Sequence, residues 1–483
     1  MKKLAFSFFA LFLLMTLSAQ KLKDVVIEGD ASFAKGKEIR LIVFDDLLNY
    51  SKKTVATERI GKDGKFKLRY AANETTLVQI AIMTAKAEFF IEPEKSYNLT
   101  IDANTEIFQL TSPEEYGYFL DVTTNQPDTN ELNYKISRFS IFFENITNAY
   151  HPYLTYIKNY AKFDTLTSIL FNYFDIKYNP TDFYQSYMYY TYGSLESSVF
   201  EKSSDSMYKK YFDNEYILYN NPAYMDFFNM FYDNYLYNSR KISKKVLSEC
   251  INDSPDYLKL FNASGKDPVL QNERIRELVI IKNLGQFYSR QDFDKVNLIA
   301  LLDYIYKNTH FPEHKKLVAD TKLKLVKDAG KNNANNVVLK EVSGADYKFG
   351  KPSGKWTYVQ FFNSKCEDCI REMLILKELQ NKFGDSLQIV SVSVDINFND
   401  FSQFRQSYNN KMFDWKFVHF NDNYEWIDKL QLLLLPEYLL LSPDGKLSER
   451  YPALPDKGAV KFFTQKFAPE NEEHLAPLER EQK

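Results

Sequence analysis

Between Val25 and Ile101 apolar and polar residues alternate in short runs: Val25 to Glu28, Ile39 to Phe44, Lys65 to Tyr70, Thr75 to Met83, Glu88 to Ile91 and Tyr97 to Ile101. A period of two sends successive side chains to opposite faces of a strand. Lys65-Phe66-Lys67-Leu68-Arg69-Tyr70 shows it best, entered through an Asp63-Gly64 turn. These runs predict an antiparallel β-sandwich over 21–105 with a solvated, charged outer face. Over 106–329 the apolar spacing lengthens to three and four, as in Asn272 to Tyr288, Phe293 to Tyr306 and Pro312 to Asp328, which predicts a mainly α-helical region. Val296, Ile299, Leu302 and Ile305 are the expected buried face of one such helix.

A polar stretch at 330–336, Gly-Lys-Asn-Asn-Ala-Asn-Asn, has linker composition. Strands and helices then alternate over 337–468. Trp356 to Phe362 is a strand, and the helix opening at Cys366-Glu367-Asp368-Cys369 runs to Gly384. Leu387 to Val394 is a second strand, and a helix follows near Phe401 to Tyr408. Tyr438 to Ser442 and Lys446 to Tyr451 flank a Pro443-Asp444-Gly445 turn, before a last helix at Ala459 to Phe467. The order is β-α-β-α-β-β-α. Residues 469–483 are charged and poor in apolar side chains, so a flexible tail is expected.

Composition adds compartment and excludes a partner class. Residues 1–20 carry Lys2 and Lys3, an apolar run from Leu4 to Leu17, then Ser18-Ala19-Gln20, the layout of a signal peptide. The expected mature protein is exported to the periplasm or cell envelope and soluble; with no Cys near the cleavage point it is not a lipoprotein. With Lys+Arg 61 against Asp+Glu 64 there is no general attraction for a phosphate backbone, so no nucleic-acid partner is expected. The chain holds 35 Tyr and 40 Phe, dense from Tyr150 to Tyr237; packing explains them better than a ligand-gripping surface does. His310 and His314 have Pro312 between them and no evident third ligand, so neither metal nor cofactor is expected. Cys250 follows Val246 and Leu247 on a helix face that reads as buried.

Candidate chemistry concentrates at the pair Cys366 and Cys369. Haem attachment needs His after the second Cys, where Ile370 stands, and zinc lacks two further ligands nearby. A C-x-x-C at the tip of the first helix, with a proline just before the later hairpin, resembles the thioredoxin superfamily. Phe361-Phe362-Asn363-Ser364-Lys365-Cys366-Glu367-Asp368-Cys369, Glu372 and Leu435-Pro436-Glu437-Tyr438-Leu439 are most similar to the TlpA/ResA-type thiol-disulfide oxidoreductases of bacterial envelopes. Lys365 stands where that family usually has Trp, Leu374 where it has Pro, and Gln360 where thioredoxin keeps a buried acid.

The resemblance implies a thioredoxin-like fold and a redox-active dithiol, with Cys366 the exposed nucleophile and Cys369 the inward resolving thiol. It also implies that Pro436 is a cis-proline facing the dithiol, leaving the Leu435 backbone free to pair with an extended substrate segment. The helix N-terminus and Lys365 favour the Cys366 thiolate, whereas Glu367 and Asp368 oppose it, so a reducing couple is expected. The function expected is protein-disulfide reduction or exchange, with disulfide-containing envelope proteins as partners and an upstream, membrane-embedded thiol electron donor. The alternative is a binding or scaffold protein of the envelope whose C-terminal domain keeps only a structural disulfide.

Overall fold

The protein is described from a computed structural model over residues 23–103, 120–125, 128–199, 204–214, 216–328, 337–409, 411–430, 432, 435–450 and 452–467. The expected signal peptide at 1–20, the linker at 330–336 and the tail at 469–483 lie outside the described residues.

Alternation becomes pleat in the first unit. Its strands are β1 (Lys23–Asp30), β2 (Glu38–Asp46), β3 (Ser51–Arg59), β4 (Lys65–Ala72), β5 (Thr76–Ile82), β6 (Ala85–Ile91), β7 (Ser96–Asp102) and β8 (Asp121–Thr124). In β4, Phe66 and Leu68 are buried while Lys65, Lys67 and Arg69 are exposed. Lys67 pairs across the strand with Glu28 at 2.6 Å. The strands form two four-stranded sheets, β4-β1-β7-β8 and β3-β2-β5-β6, whose inner faces share one core. Two details differ from the expectation. The pairing is antiparallel except that β1 and β7 run parallel, with Gly29 opposite Leu99. A Cβ on Gly29 would lie 1.8 Å from the Leu99 carbonyl oxygen, so only glycine allows that approach. The sheet also extends past residue 105, because β8 pairs with β7.

The helical region comprises α1 (Leu132–His151), α2 (Tyr160–Phe174), α3 (Phe183–Val199), α4 (Ser204–Tyr211), α5 (Pro222–Phe231), α6 (Tyr235–Asn238), α7 (Lys244–Ser248), α8 (Tyr257–Ser264), α9 (Glu273–Phe287), α10 (Lys295–Asn308) and α11 (Pro312–Asp328). The aromatic stretch is largely core: Tyr190, Tyr211, Phe212, Tyr224, Phe228 and Tyr232 are fully buried together. On α10 the buried face is Leu298, Leu301, Leu302 and Ile305. Val296 is 76% exposed, which rotates the face away from the predicted one. The reason is local: Asp294 caps the helix by accepting from the Asn297 N–H, fixing Val296 in the solvent-facing first turn.

The C-terminal unit is a seven-stranded mixed sheet, β10-β9-β13-β12-β11-β14-β15. Its strands are β9 (Val338–Glu341), β10 (Asp346–Lys348), β11 (Trp356–Phe362), β12 (Leu387–Ser393), β13 (Lys416–His419), β14 (Glu437–Leu441) and β15 (Leu447–Glu449). Its helices are α12 (Glu367–Phe383), α13 (Phe398–Ser407), α14 (Tyr424–Leu430) and α15 (Ala459–Lys466). β11, β12 and β13 are parallel; β14 returns antiparallel beside β11. One face of this sheet packs on α12, α13 and α15. The other face joins α14 and the sandwich in a single apolar cluster.

Charge seals that second contact. Arg40 of β2, 1% exposed, donates from Nη1 to Asp428 Oδ2 on α14 at 3.0 Å and from Nη2 to the Met83 carbonyl at 3.1 Å. Lys86 holds the other Asp428 oxygen at 2.6 Å. On the opposite side of the same sheet, Leu77 and Phe90 pack against Leu132 and Ile136 of α1. The Asn133 side chain there exchanges two hydrogen bonds, at 2.7 and 2.8 Å, with the Phe90 backbone. The sandwich therefore sits between the helices and the C-terminal unit.

Candidate functional site

Cys366 and Cys369 form a disulfide, with Cα atoms 5.2 Å apart, at the N-terminus of α12. Cys366 is the N-cap residue, and its Sγ accepts from the Cys369 N–H at 3.1 Å. A sulfur so placed meets the positive end of the helix dipole and an N–H that favours its thiolate once the bond opens. Cys369 is fully buried and Cys366 is 9% exposed. The first cysteine is thus less open than the exposed nucleophile expected from the sequence, because both sulfurs belong to the apolar cluster that includes Phe362 and Leu376. Lys365, Glu367 and Asp368 are exposed around it. Asp368 is engaged by Arg371 at 2.6 Å, which screens part of its negative charge from the sulfur.

The loop before the first cysteine is pinned from below. Asp395, 2% exposed at the end of β12, accepts from the Ser364 backbone N–H at 3.0 Å and from its hydroxyl at 2.7 Å. Ser393 donates to the other carboxylate oxygen at 2.6 Å. His419 of β13 accepts from the Asn421 N–H through Nδ1, so its Nε2 carries the proton and donates to the Asp395 carbonyl at 2.6 Å. Burial holds the His419 pKa below its ordinary value.

Pro436 precedes β14, and its peptide bond with Leu435 is cis. Leu435 packs against the cluster that contains both cysteines. Gln360, fully buried in β11, donates from Nε2 to the Cys369 carbonyl at 3.2 Å and to the Tyr438 hydroxyl at 3.1 Å. Glu372 lies one turn beyond Cys369 on the same helix face, 8% exposed, and accepts from the Tyr438 hydroxyl at 2.6 Å. Burial pushes its carboxyl pKa up, and the Tyr438 hydrogen bond opposes that rise.

The structure thus gathers Cys366, Cys369, Gln360, Glu372, Leu435 and Pro436 at one end of the sheet, while Lys365, Glu367 and Asp368 stay at its solvent edge. Sequence reading gave no role to Tyr438, although it lies in the motif that carries the resemblance, and missed Ser391, Trp415 and Asp395. The signal available was polarity inside buried runs: Ser391, Ser393 and Asp395 interrupt the apolar strand from Leu387 to Val394 and its end. Away from this site, Cys250 is a free, fully buried thiol whose pKa burial pushes up. His314 is also fully buried, its two ring nitrogens taken by Glu277 at 2.7 Å and Tyr219 at 2.8 Å.

Residues 354–447 match the thioredoxin-like family model, so the C-terminal unit carries a thioredoxin-like domain. No curated protein matches the chain significantly. Among solved structures, the thioredoxin domain of a thiol-disulfide oxidoreductase from Bacteroides vulgatus is similar at 20% identity, covering 29% of this chain and 96% of that one, with a TM-score of 0.25. A thiol:disulfide interchange protein from Bacteroides sp. is similar at 21% identity, covering 28% and 88%, with a TM-score of 0.25. A secreted disulfide oxidoreductase from Mycobacterium tuberculosis is similar at 14% identity, covering 28% and 98%, with a TM-score of 0.23.

Proposed function

We propose that this chain is an exported thiol-disulfide oxidoreductase that reduces or exchanges disulfides in envelope proteins. The observation that carries the reading is the Cys366–Cys369 disulfide at the first turn of α12, inside a domain of thioredoxin-like sequence. In the reduced protein the Cys366 thiolate attacks one sulfur of a substrate disulfide, and the other substrate sulfur leaves as a thiolate. Cys369, deprotonated in turn, attacks Cys366 Sγ, forms the intramolecular bond and releases the second substrate sulfur. Two electrons have then passed to the substrate, and an upstream dithiol donor must return them. The β11–β14 ladder begins at Phe361 and Glu437, so the Leu435 backbone just before it is where an extended substrate segment would pair.

Export rests on the residue pattern of 1–20, and no helix among the described residues is long and apolar enough to cross a membrane. The partly offset charges of Lys365, Glu367 and Asp368 support a reducing couple with modest thiolate acidity.

Full-length protein, reduced with a small dithiol, is expected to turn over insulin disulfides. Cys366→Ser should abolish turnover, and Cys369→Ser should accumulate mixed disulfides with its substrates. Absence of turnover while the Cys366–Cys369 bond persists would favour the scaffold alternative.

A further inference from the structure

Behind the dithiol runs a row of hydrogen bonds whose direction is set by valence. The Trp415 indole can only donate, and its Nε1–H donates to Ser391 Oγ at 2.9 Å. Ser391 must then turn its own proton to Gln360 Oε1, 3.0 Å away. That leaves Gln360 Nε2 facing two acceptors, the Cys369 carbonyl and the Tyr438 hydroxyl oxygen, and Tyr438, having accepted, donates to Glu372 Oε2. Apart from the Gln360 N–H given to the Cys369 carbonyl, the protons of the row point toward one carboxylate. The members are drawn from the approach to β13 and from β12, β11, β14 and α12, and none is more than 8% exposed, so water does not compete for them.

We propose that Tyr438 is a positioning residue for the dithiol reaction: oriented by Gln360, it clamps Glu372 Oε2 and leaves Oε1 to exchange a proton with the Cys369 thiol. The inference rests on the oxidoreductase reading and extends it. In the resolving step the Cys369 S–H bond breaks and its proton passes to Glu372. The sulfur's electron pair forms the Cys366–Cys369 bond, the Cys366–substrate bond breaks, and the departing substrate thiolate recovers the proton. Around Glu372, Asp456 from the 3-10 turn Pro455–Lys457 and Asp368 from its own helix oppose ionisation, and Arg371 favours it. Tyr358 of β11 faces it as well and stacks on Tyr438 at 4.9 Å. The Tyr438 hydroxyl is the row's only direct grip on the carboxylate.

The test is the pH profile of ring closure in the full-length, chemically reduced protein reacting with a small disulfide, followed through formation of the Cys366–Cys369 bond. Tyr438→Phe keeps the ring stack and removes the donor. It should move the acid limb of the profile upward by about one pH unit, a tenfold change at fixed pH, as expected for losing a hydrogen bond to a charged group. Ser391→Ala, which breaks the row in the middle without touching a ring, should move it the same way by less. Glu372→Gln should remove that limb, and adding Tyr438→Phe to it should change nothing further. A Tyr438→Phe profile superimposed on the wild-type curve, or an equal shift in the Glu372→Gln background, would overturn the inference. Failure of the wild-type protein to close at all would instead overturn the oxidoreductase reading.

Discussion

At the scale of single residues, the molecule tolerates one poorly placed charge where α11 meets the sandwich. Asp320 faces Asp46, 6% exposed, and its pKa is pushed up from 3.8 to about 6, first by burial and then by the Asp46 and Asp45 carboxylates, with Lys316 opposing. The unfolded chain releases this proton near 3.8 and the folded chain near 6, so the penalty is absent below the first value and complete above the second. Asp320→Asn should therefore stabilise the protein at pH 7.5, by roughly 1 kcal/mol after allowing for partial solvent contact. The gain should fade as the pH falls from 6 toward 4. Urea unfolding at several pH values reads this directly, and a gain independent of pH would refute the electrostatic account. Single-residue reading was uneven at the redox site for a related reason. Cys366 and Cys369 announce themselves by spacing along the chain, and Glu372 and Pro436 by the family resemblance that contains them. Tyr438 meets Gln360 across 78 positions, a pairing that only the folded sheet creates.

Elements were legible where a pattern ran long enough. β4 alternates without a break, and α12 repeats Met373, Leu376 and Leu379 on one face, all buried. β13 has four residues and α14 seven, too short for a period to emerge, and neither was read from the sequence. The parallel pairing of β1 with β7 was equally hidden, since register is decided by a strand about 70 residues away rather than by local pattern. Yet α14 joins two units, and its Asp428 is the carboxylate hydrogen-bonded to buried Arg40. Asp428→Ala should cost about 3 kcal/mol by leaving that guanidinium only the longer contact with Glu38, 3.8 Å from its Nε. Arg40→Met, which removes the charge and keeps an apolar stem, should cost less. Equal losses in urea denaturation of the two variants would mean that the pair is effectively solvated.

At the scale of the whole molecule, the covalent connection and the physical contact differ. The chain enters the C-terminal unit directly from α11 through the polar stretch at 330–336, but that unit rests on the sandwich, through the shared apolar cluster and the Arg40–Asp428–Lys86 contact. Limited proteolysis should cut first within the Asn-rich sequence at 330–336, and the two fragments should still co-elute in gel filtration, separating only in denaturant. Separation without denaturant would show that the cluster does not hold the units together. The same contact has a consequence in time. The sandwich ends at Thr124 and α14 at Leu430, 306 positions later, so at ~5–20 residues per second the ribosome completes the sandwich about 15–60 s before its partner helix exists. For that interval a guanidinium lacking its Asp428 partner and a bare apolar face are presented to whatever escorts the nascent chain. The last third of the polypeptide thus closes a seam that the first quarter has held open.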